Sequence, residues 1–537
     1  MRESKISLIS WRMIMKLEKL LENIDYTLVS GSPDKEINSV ENDSRNIKEG
    51  TLFFCIKGSN FDGHKFASQA VNDGAYALIV EDDVEISPDR LVADDGGNSS
   101  DDISAFNSQD VAVIRVKSTR YAMGVISAAF YGNPSDKLNV IGITGTKGKT
   151  TTTYMIKSML EKAGHKTGLI GTIEIIIGDK IIPAKNTTPE SIVIQRYLKE
   201  MVDKGLDSVV MEVSSQGLML SRVSGISFDY GIFTNLSEDH IGPNEHKSFE
   251  EYLGWKAKLF TLCKTGIFNV DDEYVDDILD GHTCKTVTYG MKEGADYQAK
   301  NLDLYEDNGE LGINYELDGR YHEKVKVSLP GEFSVHNSLS AIAVAKEMGV
   351  PMDNILEILT DIHVKGRVEM IPVSDSFTLM IDYAHNAMSL ESILTTLRAY
   401  KPNRLVSLFG CGGNRSKTRR FEMGEVSGNI ADLTIITSDN PRNEEPQAII
   451  DDIKTGIGKT SGKYVEIIDR KEAIRYAIMN AKEGDVIVLA GKGHEDYQEI
   501  KGKKYHMDER ELIKEILEEE DVTKICGYNN RYFPRGN

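Results

Sequence analysis

A loop built from glycine, lysine and threonine follows an apolar run: Leu138-Asn139-Val140-Ile141-Gly142-Ile143-Thr144-Gly145-Thr146-Lys147-Gly148-Lys149-Thr150-Thr151. Those residue types, in that order, suit the binding of a polyphosphate. Gly145 and Gly148 carry no Cβ, so backbone N–H groups can approach an anion, while Lys149 can reach terminal phosphates and the Thr150 hydroxyl can hold Mg2+. The strict pattern G-x-x-x-x-G-K-[ST] would place a glycine at Ile143; here it falls one residue earlier, at Gly142. Further polar residues close other apolar runs: Glu212, then Thr234 and Asn235, then Asp271. Each could be a simple cap. Beside a phosphate loop they describe a nucleotide crevice.

The elements that must position these groups follow from periodicity. The run before the loop reads as a buried parallel strand, and 150–163 as a helix with Met155, Ile156, Met159, Leu160 and Ala163 on one face. Runs at 208–213, 230–233 and 266–270 read as further parallel strands. Earlier in the chain, strands are expected at 51–56 and 75–80, with a helix near 66–72 and a polar surface loop over 85–110. Later, strands at 378–381, 405–409, 433–437 and 486–489 each run into a polar or glycine-rich segment. These segments are Asp382-Tyr383-Ala384-His385-Asn386, Gly410-Cys411-Gly412-Gly413-Asn414-Arg415, Ser438-Asp439-Asn440-Pro441-Arg442 and Gly491-Lys492-Gly493-His494-Glu495. Loaded loops at one sheet edge form a second binding surface. Residues after about 520 read as a frayed tail.

Composition narrows the classes. At 537 residues the chain exceeds one core, and 84 acidic against 63 basic residues give a net charge of −21. There is no basic stripe for nucleic acid, and the acidic excess reads as solvated surface. The five cysteines, Cys55, Cys263, Cys284, Cys411 and Cys526, lack paired spacing, so neither a disulfide framework nor a zinc site is expected. A reducing cytoplasm fits that cysteine usage, and with no long apolar window or signal-peptide core no membrane span or signal peptide is expected. Residues 1–14 differ from the amphipathic segment that follows, so they read either as an extension or as sequence upstream of a true start at Met15.

Five motifs in order carry a family resemblance: the phosphate loop, Met211-Glu212-Val213-Ser214-Ser215, Thr234-Asn235-Leu236-Ser237-Glu238-Asp239-His240, Asp382-Tyr383-Ala384-His385 and Asp439-Asn440-Pro441-Arg442. Together, over roughly 15–517, they resemble the Mur ligases. The resemblance implies an α/β protein of three domains. These are a small N-terminal α/β domain for a UDP-sugar (15–137), a central ATP-binding domain with a P-loop ATPase-like parallel sheet (138–365) and a C-terminal Rossmann-like α/β domain for an amino acid (366–537). It further implies an ATP-dependent, ADP-forming acid–amino-acid ligase of peptidoglycan precursor synthesis. Such an enzyme adds the third residue to UDP-N-acetylmuramoyl-L-alanyl-D-glutamate through an acyl phosphate, acts as a monomer, and closes its domains to exclude water.

Residue by residue, the resemblance gives Gly145, Thr146, Lys147, Gly148, Lys149, Thr150 and Thr151 to ATP, with Asn337, Arg367, Asp382 and His385. It gives Lys149, Glu212, His240 and Lys256 to catalysis, and Thr150, Glu212, His240 and Lys256 to Mg2+, with Lys256 carbamylated as N6-carboxylysine. A plain lysine would repel the metal, whereas a carbamate is an anion. From spacing alone, Lys258 or a solvated helix face would serve equally; only the resemblance selects Lys256. Ser44 and Arg45, within Asp43-Ser44-Arg45, match the uridine side. Asn186, Thr187, Thr188, Ser215 and Arg222 match the muramoyl-peptide segments. Asp439, Asn440, Arg442, Gly491 and Glu495 match the amino-acid site.

Arg442 could clamp the distal carboxylate of meso-diaminopimelate, which lysine lacks. Two departures keep lysine or another diamino acid open: Gln216 in place of a common histidine, and His240-Ile241-Gly242-Pro243-Asn244-Glu245-His246 in place of the commoner form. A folylpolyglutamate synthetase-like ligase shares the loop and the lysine, but not the Asp43-Ser44-Arg45 or Asn440-Pro441-Arg442 motifs. A non-catalytic ATP sensor would be expected to have lost part of the metal set, which is intact here.

Overall fold

The computed structural model describes residues 13–58, 61–86, 111–239, 241–242 and 245–528. The expected loop over 85–110 lies outside the described residues from position 87 onward, as do His240, Pro243 and Asn244. The chain divides into two compact units: 1–153, 164–268 and 272–287 make the first, and 154–163, 269–271 and 288–537 the second.

The first unit holds a five-stranded sheet in the order Tyr26–Ser30, Ala112–Val116, Ala75–Val80, Thr51–Phe54, Ser39–Glu41. Its Ala75–Val80 strand lies where the sequence predicts it, as does the short α-helix Ala67–Asn72, which a 3-10 turn, Gly63–Phe66, precedes. Asp62 starts that turn, its carboxylate accepting the His64 N–H.

The same unit holds the sheet of the phosphate loop. Asn139–Thr144 lies between Ser208–Glu212 and Phe228–Phe233, and both neighbours run parallel to it. Thr167–Ile170 and Cys263–Asn269 extend the parallel set on either side. The registers Glu212 to Ile143 and Phe233 to Thr144 end these strands level. Glu212, Gly145 and Thr234 therefore emerge at one edge. Gly142 serves this sheet and not the loop, since a Cβ there would meet the Phe228 ring at 2.7 Å. The helix begins at Lys149 and ends at Lys162. Met155, Ile156, Met159 and Leu160 are fully buried, whereas Ala163 lies past the helix end and is half-exposed.

In the second unit, Thr378–Asp382, Asp485–Ala490, Arg404–Phe409, Leu433–Ile436 and Tyr464–Glu466 form a parallel sheet in that order. Period-two alternation divides their side chains between two cores. Met380, Leu405, Phe409, Ile436, Val486 and Val488 pack on one face; Leu379, Ile381, Val406, Leu408, Ile435, Ile487 and Leu489 pack on the other. An antiparallel ribbon, Tyr297–Asp307, Glu310–Gly319 and Glu323–Val327, precedes the helix Glu332–Glu347.

The tail departs from expectation. From 521 to 528 it does not fray, whereas 529–537 lie outside the described residues: Val522–Lys524 form a 3-10 turn, Ile525 is buried in the second core, and Ser374 Oγ donates to the Cys526 carbonyl at 2.6 Å. Val522, Ile525, Cys526 and Tyr528 follow neither a helical nor a strand period, so their packing on the second core was invisible to pattern reading. Ile525→Ala should lower unfolding stability by about 2 kcal/mol, measured by urea denaturation. An unchanged midpoint would return these residues to a frayed end.

Candidate active site

The phosphate loop is braced by the segment after the neighbouring strand. Gly145 adopts φ +144°, and a Cβ there would fall 1.9 Å from Thr234 Oγ1. Asn235 holds the loop from both sides: its carbonyl accepts the Thr146 N–H at 2.8 Å, and its side chain accepts from the Lys147 N–H at 2.9 Å and donates to the Lys147 carbonyl at 3.1 Å. Thr234 Oγ1 donates to the same carbonyl at 2.7 Å. The N–H groups of Thr146 and Lys147 thus shape the loop. Those of Gly148, Lys149, Thr150 and Thr151, at the helix start, are the ones a helix leaves for an anion.

Two lysines converge on one carbonyl. Lys149 Nζ donates to the Gly145 oxygen at 2.8 Å and to that of Thr146 at 3.0 Å, and Lys256 Nζ donates to Gly145 at 2.8 Å. Lys256 lies on the helix Phe249–Ala257, is 1% exposed, and stands 4.4 Å over the Tyr252 ring one turn earlier. Burial and the neighbouring Lys149 charge push its amine well below the usual lysine range, against a smaller pull from Asp239. Lys258 is exposed, which separates the two lysines that spacing left equal.

Glu212 is 1% exposed and accepts the Thr150 hydroxyl at 3.0 Å on both oxygens. Thr172, which sequence reading missed, donates its N–H at 2.8 Å and its hydroxyl at 3.0 Å to the same carboxylate. Gly171 makes room, since a Cβ would lie 2.7 Å from Glu212 Oε1. Close by, Thr188 Oγ1 donates to the Glu212 carbonyl at 2.9 Å, and Arg222 spans the Thr188 carbonyl, 3.1 Å, and Glu190, 2.7 Å. Thr187 meets Thr172 at 3.0 Å and Asn186 is exposed. Ser215 is 2.9 Å from His246 Nε2; that ring packs on Tyr252, whose hydroxyl is 3.0 Å from Thr146 Oγ1. Sequence reading missed His246 and Tyr252 as well, although Tyr252 shares a helical face with Lys256 at i, i+4. Gln216 is half-buried in the short helix Ser215–Met219. Arg45 folds back on Asp43 at 2.6 Å, and no hydrogen bond or ion pair among the described residues ties Ser44 or Arg45 to the phosphate loop.

In the second unit, Asp382 accepts the N–H groups of Val368 and Ala384, each at 2.9 Å, and burial raises its carboxyl pKa despite Arg367. Arg367 stacks 4.7 Å over Tyr383, whose ring also meets His385 at 4.6 Å and His494 at 4.7 Å. Burial lowers both imidazoles, His494 to about 4. Asn337 is 5% exposed on the helix Glu332–Glu347.

The loops holding Asp439, Asn440, Arg442, Gly491 and Glu495 interlock. Asn440 Nδ2 donates to Glu495 Oε2 at 2.9 Å, and Gly491, at φ +106°, would bring a Cβ 3.0 Å from Asp439 Oδ2. Arg442 sits at φ +51°, donates Nη1 to the Gly413 carbonyl at 2.7 Å and Nε to Glu499 at 3.1 Å. Its Nη2 makes no hydrogen bond among the described residues. Buried Arg420 binds Glu444 twice at 2.8 Å and Asp452 at 2.9 Å.

Comparisons with known proteins agree in order along the chain. The Mur ligase family, catalytic domain matches residues 36–131, the Mur ligase middle domain 143–345, and the Mur ligase, glutamate ligase domain 366–493. The UDP-N-acetylmuramoyl-L-alanyl-D-glutamate--2,6-diaminopimelate ligase of Clostridium perfringens is 42% identical, covering 94% of this chain and 100% of the relative. Its counterpart in Clostridium botulinum is 41% identical with the same coverage. A solved structure of a ligase of that name aligns with a TM-score of 0.68 at 27% identity, over 94% of this chain and 99% of its own. With three family descriptions in sequence and relatives matched over their whole length, this chain belongs to the Mur ligase family.

Proposed function

We propose that the chain is an ATP-dependent ligase joining meso-diaminopimelate to UDP-N-acetylmuramoyl-L-alanyl-D-glutamate in the cytoplasm, with domain limits near 137 and 365. The observation that carries the reading is the full-length identity to diaminopimelate ligases. That identity runs through the N-terminal region, which weighs against a folylpolyglutamate synthetase-like enzyme. In the proposed reaction a substrate carboxylate oxygen attacks the γ-phosphorus of ATP, and the bond to ADP breaks. The substrate amine, having lost a proton, then attacks the acyl carbon, and inorganic phosphate leaves as the amide forms.

The chain's residues suit each part. The N–H groups at 148–151 would face phosphate oxygens, and Lys149 would turn from the Gly145 carbonyl to the transferring group. The Thr150 hydroxyl and the Glu212 carboxylate, 3.0 Å apart and buried, are a hard oxygen pair of the kind Mg2+ takes. His240, outside the described residues, is proposed to join them. Bound there, the metal would neutralise charge on the transferring phosphoryl group.

Burial and the Lys149 charge favour the uncharged Lys256 amine, the form that would add CO2, releasing a proton and becoming a carbamate. Asn337, Arg367, Asp382 and His385 are assigned to the nucleotide, and Ser44, Arg45, Asn186, Thr187, Thr188, Ser215 and Arg222 to the nucleotide-sugar peptide. Asp439, Asn440, Gly491 and Glu495 would serve the amino acid, with Arg442 Nη2 on its distal carboxylate.

Phosphate release should require the UDP-muramoyl-dipeptide and diaminopimelate, with lysine a much poorer substrate; release only with a folate substrate, or none, would remove the proposal. Arg442→Ala should raise the KM for diaminopimelate about 30-fold, the worth of roughly 2 kcal/mol for a charged hydrogen bond, while the KM for ATP stays within about twofold. With 13C-bicarbonate near neutral pH, wild-type protein should give a carbamate carbon resonance that Lys256→Ala lacks. Acidification, by protonating the amine, should erase it; identical spectra for both proteins would exclude carbamylation.

A further inference from the structure

Lys492 is fully buried, although a cation is costly to remove from water unless its protons are all met. Here they are met: Nζ donates to Glu495 Oε2 at 2.9 Å, to Asn440 Oδ1 at 3.1 Å and to the Tyr497 carbonyl. Three acceptors exhaust an ammonium group. Asp439 Oδ1 stands 3.9 Å away, so one cation serves two carboxylates and the cluster carries one net negative charge.

The arrangement is directional. Both donors on Glu495, Lys492 Nζ and Asn440 Nδ2, land on Oε2, and among the described residues Oε1 accepts no hydrogen bond. The Asn440 side chain is anchored inside the cluster, because its Oδ1 also takes the Glu499 N–H at 2.8 Å. Asn440 and Lys492 thus form a two-armed clamp on one carboxylate oxygen, and the other oxygen is left to accept from a ligand ammonium group.

We propose that Lys492 is a positioning residue for the incoming amino acid, holding Glu495 turned so that Oε1, with Asp439, receives the substrate ammonium. This rests on the ligase reading above. Without the cation, Asp439 and the half-buried Glu495 would be two like charges near Glu509, whose own charge Arg470 already meets, and the pair would take up a proton more readily.

The test is steady-state kinetics on the full-length enzyme with each of the three substrates varied in turn from about pH 6 to 8, the range in which a raised carboxyl would titrate. Lys492→Met should raise the KM for diaminopimelate at least tenfold at pH 7 and leave those for ATP and the UDP-muramoyl-dipeptide within twofold. The variant's KM for diaminopimelate should fall as pH rises, because deprotonation restores the acceptor, whereas the wild type stays flat. The double variant Lys492→Met/Glu495→Gln should be no worse than Glu495→Gln alone. If Lys492→Met does not fold, Asn440→Asp, which sets a repelling carboxylate against Glu495, carries the same expectations. Equal changes in all three KM values, or a loss of stability with an unshifted, pH-flat KM, would overturn the proposal. A wild type inactive with diaminopimelate but active with another amino acid would sink the substrate assignment instead, and the same comparison would then be run with that amino acid.

Discussion

The Gly145 carbonyl oxygen is the point on which the phosphate site turns, because two lysines donate to it from different elements. Like charges so close, one of them buried, cannot both be comfortable as cations. The buried one yields, and the Lys256 amine is lowered by burial first and by Lys149 second. That asymmetry suits the roles proposed above, Lys149 at the helix start for phosphate and the lowered Lys256 amine for carbamylation. The backbone conformation that aims the carbonyl exists only because Gly145 has no Cβ to strike Thr234. A single glycine thereby links strand order, loop shape and the chemistry of two side chains.

The second unit solves a related problem with buried cations. Its loops leave a parallel sheet at aligned strand ends and carry backbone groups that nothing in the sheet can satisfy. Arg470, 1% exposed in its side chain, pairs with Glu509 at 2.8 Å and donates to the carbonyls of Ser438 and Ala490, the residues that open two of the loops. Arg420 ties the carbonyl of Gly412 to Glu444 in the same way. Removing one partner of such a pair leaves an uncompensated charge, so these loops are fixed more firmly than their glycine content suggests.

Much of this was legible in the sequence, and the limits have physical causes. Parallel strands at 208–212, 228–233 and 404–409 show as continuous apolar runs because both faces are covered. Glu212 and Thr150 could be paired because strand ends and a phosphate loop have fixed neighbours. Thr172 could not, since its role depends on a strand, Thr167–Ile170, reaching Glu212 through register rather than sequence. Lys492 hid for another reason: a lysine between glycines reads as solvated, and only tertiary packing buries it. Lys256 is buried in the last turn of its helix and Lys258 is exposed at the start of the 3-10 turn that follows, a difference that two residues of spacing do not carry.

The account comes down to whether this site moves a phosphoryl group onto a carboxylate oxygen. UDP-muramoyl-dipeptide labelled with 18O in both oxygens of the D-glutamyl carboxylate that becomes the amide, turned over with unlabelled ATP and diaminopimelate, tests this through the phosphate released. One 18O atom per phosphate, with the remaining label kept in the new amide, is the predicted result. Phosphate free of 18O at equal turnover would contradict it.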